Sequence, residues 1–129
     1  MPKILIVEDD FDTRYGLALI LKTEGYEVVT AADGECALAV ASQEKPDLII
    51  TDISMPRLNG VELTRRIKRK KETAGIPILA ITAYGQTTIK NVLSAGASAC
   101  AKKPLVVTEF LPQIRSLLTQ NVPPARTKQ

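Results

Sequence analysis

Short apolar segments alternate with longer amphipathic stretches about five times along the chain. The apolar segments cover residues 4–7, 28–31, 48–50, 76–81 and 97–101. Several are continuously apolar instead of alternating with polar residues, which is typical of strands buried on both faces of a parallel sheet. The second segment is more polar, so we place it at an edge. The fifth is the weakest strand signal, because Ala and Ser have low strand preference.

The amphipathic stretches carry residues that begin and end helices. Asp33 and Asn59 are suitable N-caps for the second and third helices, and Glu62 sits at the capping-box position after Asn59. Gly25 and Gly96 are suitable ends for the first and fourth helices. The last two helices are expected over about residues 87–94 and 108–119.

Five such strand–helix units predict an α/β fold with a doubly wound, five-stranded parallel sheet and helices on both faces. The 129 residues are 45% hydrophobic and 24% charged, which fits one globular domain. We place this domain at residues 1–120. Residues 121–129 contain Pro123-Pro124 and few apolar anchors, so they are expected to form a flexible tail.

Composition excludes several functional classes. The chain has no His, which rules out His-based triads and His metal ligands. Cys36 and Cys100 match no metal-ligand spacing, so both are expected to be free, small packing residues in a reduced compartment. No signal peptide and no apolar run of about 20 residues is present, so we expect a cytoplasmic protein without membrane association. A net charge of +3 predicts no direct nucleic-acid binding.

Five polar residues stand at the carboxyl ends of the apolar segments, where ligands bind in sheets of this kind. They are Glu8, Asp9, Asp52, Thr82 and Lys103. If the strand order is 2-1-3-4-5, these ends are neighbours. We expect Asp52 to lie at the mouth of the sheet, not buried in its strand.

Three carboxylates in one crevice need a cation. Two carboxylates ~4 Å apart repel by about 4 kcal/mol at an effective dielectric constant of about 20. Lys103 supplies one positive charge, and a divalent ion could supply the rest. An all-oxygen ligand set with few carboxylates favours Mg²⁺, which also accepts phosphate oxygens.

Asp52 is then a candidate nucleophile. A carboxylate is already ionised at pH 7 and needs no partner base, which suits a chain without His. Its attack on phosphorus would give an aspartyl phosphate. Mg²⁺ and Lys103 would neutralise the phosphoryl oxygens, and Thr82 would donate a hydrogen bond to the new group. We also predict that Tyr84, two residues further on, shields the acyl phosphate from water.

Four segments, in order and with compatible spacing, resemble the receiver domain of two-component response regulators over about residues 3–120. The resemblance implies a flavodoxin-like fold of strand order 2-1-3-4-5. The segments are Ile4-Leu5-Ile6-Val7-Glu8-Asp9-Asp10, Thr51-Asp52-Ile53-Ser54-Met55-Pro56-Arg57-Leu58-Asn59-Gly60, Ile81-Thr82-Ala83 and Lys102-Lys103-Pro104.

The resemblance also implies roles for individual residues. Asp52 corresponds to the phosphoacceptor, Asp9 to a direct Mg²⁺ ligand, and Glu8 to a second acid that acts through water. Ser54 would offer its backbone carbonyl to the metal. A sensor histidine kinase or a histidine phosphotransfer protein would donate the phosphoryl group. The domain would then signal a downstream target protein through its fourth helix, fifth strand and last helix. It would not be an enzyme beyond its own phosphorylation and dephosphorylation.

The remaining correspondences lie on the last two strands. Lys103 and Thr82 resemble the pair that senses the phosphoryl group, and Ala83 resembles the small residue that keeps the site open. The peptide bond between Lys103 and Pro104 resembles one that is usually cis. Cys100 departs from the pattern, because the family commonly has Tyr or Phe at this position.

Three alternatives remain open at this point. Cys100 supports an adaptor that binds partners without phosphorylation. The domain could be the receiver portion of a longer DNA-binding regulator or a stand-alone receiver. Asp10-Phe11-Asp12 mimics the paired aspartates of haloacid-dehalogenase phosphatases, although Arg14 stands where that motif has Thr or Val.

The cation-rich stretch at residues 65–71 is expected to be the solvated end of the third helix.

Overall fold

A computed structural model describes residues 1–55, 58–83 and 85–120. Tyr84, with its predicted shielding role, lies outside the described residues, as does the predicted tail at residues 121–129. Pro56 and Arg57 of the second family-like segment are also outside them.

Strands and helices alternate strictly along the described residues, as the apolar pattern predicts. The elements are β1 (Lys3–Val7), α1 (Phe11–Thr23), β2 (Glu27–Ala31), α2 (Gly34–Glu44), β3 (Leu48–Asp52), α3 (Gly60–Arg69), β4 (Ile78–Thr82), α4 (Gln86–Ala95), β5 (Ala99–Lys102) and α5 (Val107–Gln120). None of the helices within the described residues is long and apolar enough to cross a membrane.

The five strands form one parallel sheet in the order β2-β1-β3-β4-β5. The predicted doubly wound fold is confirmed, and β2 lies at an edge as expected. Alternate residues of β1 enter two separate apolar cores. Leu5 and Val7 pack with residues of α2, α3 and α4, whereas Ile4 and Ile6 pack with residues of α1 and α5. Burial on both faces explains why the strand segments are continuously apolar.

Two strands, β4 and β5, begin two residues later than predicted because neighbouring turns use the same backbone groups. Ile76 donates its N–H to Thr73 in the preceding turn, and β4 begins only at Ile78. Ala97 donates to Val92 and so completes the end of α4, which leaves β5 to begin at Ala99. Both early residues are nevertheless buried, so their apolar character serves the core.

The helix caps are partly as predicted. The side chains of Asp33 and Asn59 accept hydrogen bonds from Cys36 N and Glu62 N, which confirms both N-caps. The reciprocal half of the capping box is absent, because the Glu62 carboxylate pairs with Arg65 and Arg66 one turn along α3. That acid therefore neutralises two cations of its own helix.

Two predictions about packing are wrong in part. Cys36 is exposed in the first turn of α2 instead of packed, whereas Cys100 is half-buried against the core formed by α2, α3 and α4. The cationic end of α3 is mostly solvated, but Lys68 is half-buried, and its ammonium donates to the carbonyls of Ala74 (3.0 Å) and Ile76 (2.6 Å). Lys68 thus holds the loop between α3 and β4.

Candidate functional site

The three predicted acids meet at the carboxyl ends of the two central strands. Glu8 and Asp9 directly follow β1, and Asp52 is the last residue of β3. The parallel register pairs Val7 with Thr51, so the next residues, Glu8 and Asp52, lie side by side. Carboxylate oxygens of Glu8, Asp9 and Asp52 all lie within 4.8 Å of one another.

Asp52 is more buried than expected. It is 6% exposed, so the prediction that it is not buried within its strand is wrong. The reason is that β3 lies at the centre of the sheet and continues through Asp52, which pairs with Ile81 of β4. The first residue of α3 also lies against the strand end, where Gly60 N donates to Ile53 O (2.8 Å).

Lys103 supplies the predicted positive charge. Its ammonium lies 3.1 Å from Asp52 Oδ2 and 3.8 Å from Glu8 Oε1. Partial burial lowers the pKa of Lys103, but its hydrogen bond to Asp52 and the charges of the nearby acids outweigh this effect, so its pKa is raised. Its N–H donates to Thr82 O, and its peptide bond to Pro104 is cis, as the family resemblance implies.

Glu8 has an unusual environment for an acid. It is 5% exposed, and its Oε2 accepts a hydrogen bond from Asp10 N at 3.0 Å. Burial raises the pKa of Glu8, and the charge of Asp52 adds to this effect. The bond from Asp10 N and the charge of Lys103 oppose the shift without cancelling it.

Asp10 has a structural role that the sequence reasoning missed. Its carboxylate caps α1 by accepting hydrogen bonds from Thr13 N (2.9 Å) and Thr13 Oγ1 (2.7 Å). An Asp three residues before a Thr, at the start of an amphipathic stretch, is the signal that could have revealed this cap. Asp12 is exposed in the first turn of α1, and neither acid belongs to the carboxylate cluster. The two aspartates that suggested a dehalogenase-type phosphatase thus lie outside the cluster, and Asp10 is engaged as a helix cap.

The other predicted site residues lie around this cluster along the strand ends. Thr82 is the last residue of β4, is 1% exposed and pairs with Lys102 of β5. Ala83 follows it and is exposed, and Ser54 is exposed two residues beyond Asp52. The strand order thus carries all the predicted site residues to the same edge of the sheet.

The donor set of the cluster fits a hard divalent cation. Three carboxylates supply only oxygen atoms, and two of them are nearly buried. Lys103 is the cation paired with the cluster among the described residues, so the acids remain in excess. Oxygen ligands with excess negative charge are what Mg²⁺ requires.

Comparison with known proteins agrees with this architecture. The chain is 41% identical over 90 residues to the protein PilH of Pseudomonas aeruginosa, covering 70% of this chain and 74% of PilH. It is 38% identical over 128 residues to the DNA-binding dual master transcriptional regulator RpaA of Synechocystis, covering 97% of this chain. The chain spans 53% of the length of RpaA, about half of that relative.

Solved structures show the same fold. The crystal structure of a putative response regulator from Chloroflexus aurantiacus superimposes with a TM-score of 0.87 at 34% identity, covering 92% of this chain and 98% of that one. The chemotaxis response regulator CheY4 of Vibrio cholerae gives a TM-score of 0.85 at 31% identity, covering 91% and 98%. The family model of the response regulator receiver domain matches residues 4–115. The chain therefore belongs to the response regulator receiver domain family.

Proposed function

We propose that this domain is a phosphorelay switch whose Asp52 accepts a phosphoryl group from a phosphohistidine. The observation that carries the proposal is the position of Asp52 at the end of the central strand. Two further acids lie within 4.8 Å of it, and the ammonium of Lys103 lies 3.1 Å away. One nucleophilic carboxylate, two acids to hold a metal and one cation are the groups that phosphoryl transfer to an aspartate needs.

In the proposed reaction, an oxygen of the Asp52 carboxylate forms a bond to phosphorus while the phosphorus–nitrogen bond of the phosphohistidine breaks. The imidazole nitrogen keeps the electron pair, so the donor leaves as histidine. The ammonium of Lys103 pairs with the phosphoryl oxygens once they carry the negative charge. The Thr82 hydroxyl donates a hydrogen bond to the bound phosphoryl group. Ala83, which is small, leaves this space open.

Glu8, Asp9, Asp52 and the backbone carbonyl of Ser54 would hold Mg²⁺. When bound, the ion supplies positive charge that offsets the charge on the phosphoryl oxygens. The protein residues contribute position and protection, because they fix the Asp52 carboxylate and shield it from water. Burial of Asp52 favours this role, since Lys103 acts more strongly on a partly desolvated carboxylate.

The proposed partners follow from the same reaction. The donor would be a sensor histidine kinase or a histidine phosphotransfer protein, and a target protein would read the phosphorylated state at α4, β5 and α5. A longer regulator that contains this domain would couple its phosphorylation to an output, such as the DNA binding that gives the relative RpaA its description.

The proposal is tested by incubating the protein with Mg²⁺ and acetyl phosphate, followed by mass spectrometry of the intact chain. We expect one added phosphoryl group in the natural protein and none in Asp52→Asn. Asp12→Asn is the matched control, because Asp12 is an exposed acid near the site but outside the carboxylate cluster. It should be phosphorylated normally.

Failure of the natural protein to be phosphorylated at any Mg²⁺ concentration would overturn the proposal. Addition that persists in Asp52→Asn would overturn the assignment of Asp52. A partner that binds equally well with and without beryllium fluoride, which mimics the phosphoryl group, would instead support the phosphorylation-independent adaptor.

A further inference from the structure

Arg14 of α1 reaches back onto the loop that carries two of the three site acids. Its Nη1 atom donates to Glu8 O at 2.8 Å and approaches Asp9 O at 3.4 Å. The same guanidinium lies over the ring of Phe11, 5.5 Å from its centroid. The residue is half-buried, and these two sets of contacts hold the guanidinium from two sides.

The guanidinium binds carbonyl oxygens of the loop, not its carboxylates. Among the residues that the structure describes, the ion pairs of the cluster join Lys103 to Glu8 and Asp52, and none involves Arg14. A cation on the carboxylates would compete with a metal for the same oxygens. A cation bound to the carbonyls behind them holds the loop and leaves the carboxylate oxygens available.

The loop needs such a restraint because its acids are repelled by Asp52 at the end of the neighbouring strand β3. Glu8 and Asp52 are both nearly buried, and water screens their charges poorly. The bond from Asp10 N to Glu8 Oε2 and the cap from Asp10 to Thr13 fix the start of α1. Arg14 adds the contact that ties the carbonyls of Glu8 and Asp9 to the next turn of the same helix.

We propose that Arg14 is a positioning residue that holds the loop between β1 and α1 so that Glu8 and Asp9 converge with Asp52 on one cation. Its consequence for phosphorylation rests on the proposed function, but its consequence for metal binding does not. A lysine would not substitute fully. It lacks the planar guanidinium group that lies over the Phe11 ring while one of its nitrogens donates to the loop carbonyls.

The experiment compares the natural protein with Arg14→Met, which keeps an apolar stem, and with Arg14→Lys. Isothermal titration with Mg²⁺ alone measures affinity without any phosphodonor. Mutation of a residue that holds metal ligands in place typically lowers metal affinity by about 10- to 100-fold. We expect the Mg²⁺ dissociation constant of Arg14→Met to rise by about tenfold or more and that of Arg14→Lys to rise by less.

Two further measurements separate positioning from general damage. In the metal-free protein, the amide of Asp10 should exchange with solvent faster in Arg14→Met, while amides at the centre of the sheet stay protected. In Arg14→Ala, added guanidinium ion should restore part of the lost Mg²⁺ affinity. Arg115→Met, which removes an exposed arginine of α5, is the control and should match the natural protein.

Unchanged Mg²⁺ affinity in Arg14→Met would overturn the proposal, and so would a loss of affinity accompanied by exchange across the whole sheet. If the natural protein binds Mg²⁺ but never becomes phosphorylated, the proposed function fails, while the titration still decides the role of Arg14. If phosphorylation occurs and only the Arg14 comparison shows no effect, this inference alone fails.

Discussion

The ammonium of Lys103 lies 3.1 Å from the carboxylate of Asp52, although 51 positions separate the two residues in the chain. Asp52 ends β3, Lys103 follows β5, and β4 lies between those two strands. The long lysine side chain therefore reaches across a whole strand to the nucleophile. This contact links the last strand of the sheet to the proposed reaction centre.

Replacing Lys103 by Met should separate phosphoryl transfer from metal binding. The variant keeps an apolar stem and loses the charge that faces Asp52. Loss of a single group that stabilises developing negative charge typically slows catalysis by about 100- to 1,000-fold, so we expect slower phosphorylation of that order. Mg²⁺ affinity should stay the same or rise, because a competing cation has gone. Lys102→Met, an exposed neighbour, should change neither quantity.

Glu8 should lower the stability of the metal-free protein at neutral pH. Because its pKa is raised in the folded state by burial and by the charge of Asp52, the folded protein holds the proton more tightly than the unfolded chain does. The contribution of Glu8 to stability therefore falls as pH rises from the unfolded-state pKa near 4.5 through the raised folded-state value. Glu8→Gln removes this titration, so we expect its free energy of unfolding to exceed that of the natural protein at pH 7 by about 0.5–2 kcal/mol.

Urea unfolding at several pH values measures this difference. The difference in free energy of unfolding between Glu8→Gln and the natural protein should narrow as pH falls from the raised folded-state pKa toward 4.5, because Glu8 becomes protonated in both states. Saturating Mg²⁺ should make the natural protein more stable than Glu8→Gln, since a ligand that binds only the folded state stabilises it and Glu8 is one of the proposed ligands. Glu72→Gln, at an exposed acid after α3, should show neither effect. Equal stability of Glu8→Gln and the natural protein at pH 7 would refute the argument.

The convergence of the site could be predicted from the sequence because parallel strands bring their carboxyl ends to one edge. Glu8, Asp52, Thr82 and Lys103 each end an apolar segment, so their proximity followed from the strand order. That order came from the family resemblance, since the apolar pattern alone does not decide which strands are neighbours.

Features that depend on contacts between residues distant in the sequence could not be predicted from the local pattern of apolar and polar residues. The burial of Asp52 depends on its place in the central strand and on the close approach of Gly60, and the start of β5 depends on how α4 ends. Lys68 looked like one more solvated cation of the third helix. The loop carbonyls that it binds come from Ala74 and Ile76, which return to it only when the loop folds.

Thr82 should be needed for the response to phosphorylation more than for acceptance of the group. Its side chain is buried at the end of β4, and Cys100 on the neighbouring strand β5 stands where the family commonly has Tyr or Phe. In Thr82→Val, Asp52 should still become phosphorylated, but beryllium fluoride should no longer change the hydrogen exchange of α4 and β5. Thr82→Ser keeps the hydroxyl and should retain the change. A full response in Thr82→Val would contradict this role.

Gly60 should be required for the position of Asp52, because the start of α3 packs directly on the end of β3. A Cβ atom at Gly60 would lie 2.6 Å from Asp52 O and 2.7 Å from Ile53 Cα, and these backbone atoms cannot rotate away. Gly60→Ala should therefore lower the free energy of unfolding by about 1–3 kcal/mol, as overpacking does, and slow phosphorylation as Asp52 shifts. Gly16→Ala is the matched control, since a Cβ there meets no atom within 4 Å.

The two glycine substitutions should move stability in opposite directions. Gly16 lies inside α1, where replacing Gly by Ala typically stabilises a helix by about 0.5–1 kcal/mol. Urea unfolding of both variants, with phosphorylation followed by mass spectrometry, measures the two effects side by side. If Gly60→Ala were as stable and as readily phosphorylated as Gly16→Ala, the close approach of α3 to β3 would not hold Asp52 in place. A loss confined to Gly60→Ala would show that the strand end and the helix start act as one rigid support for the nucleophile.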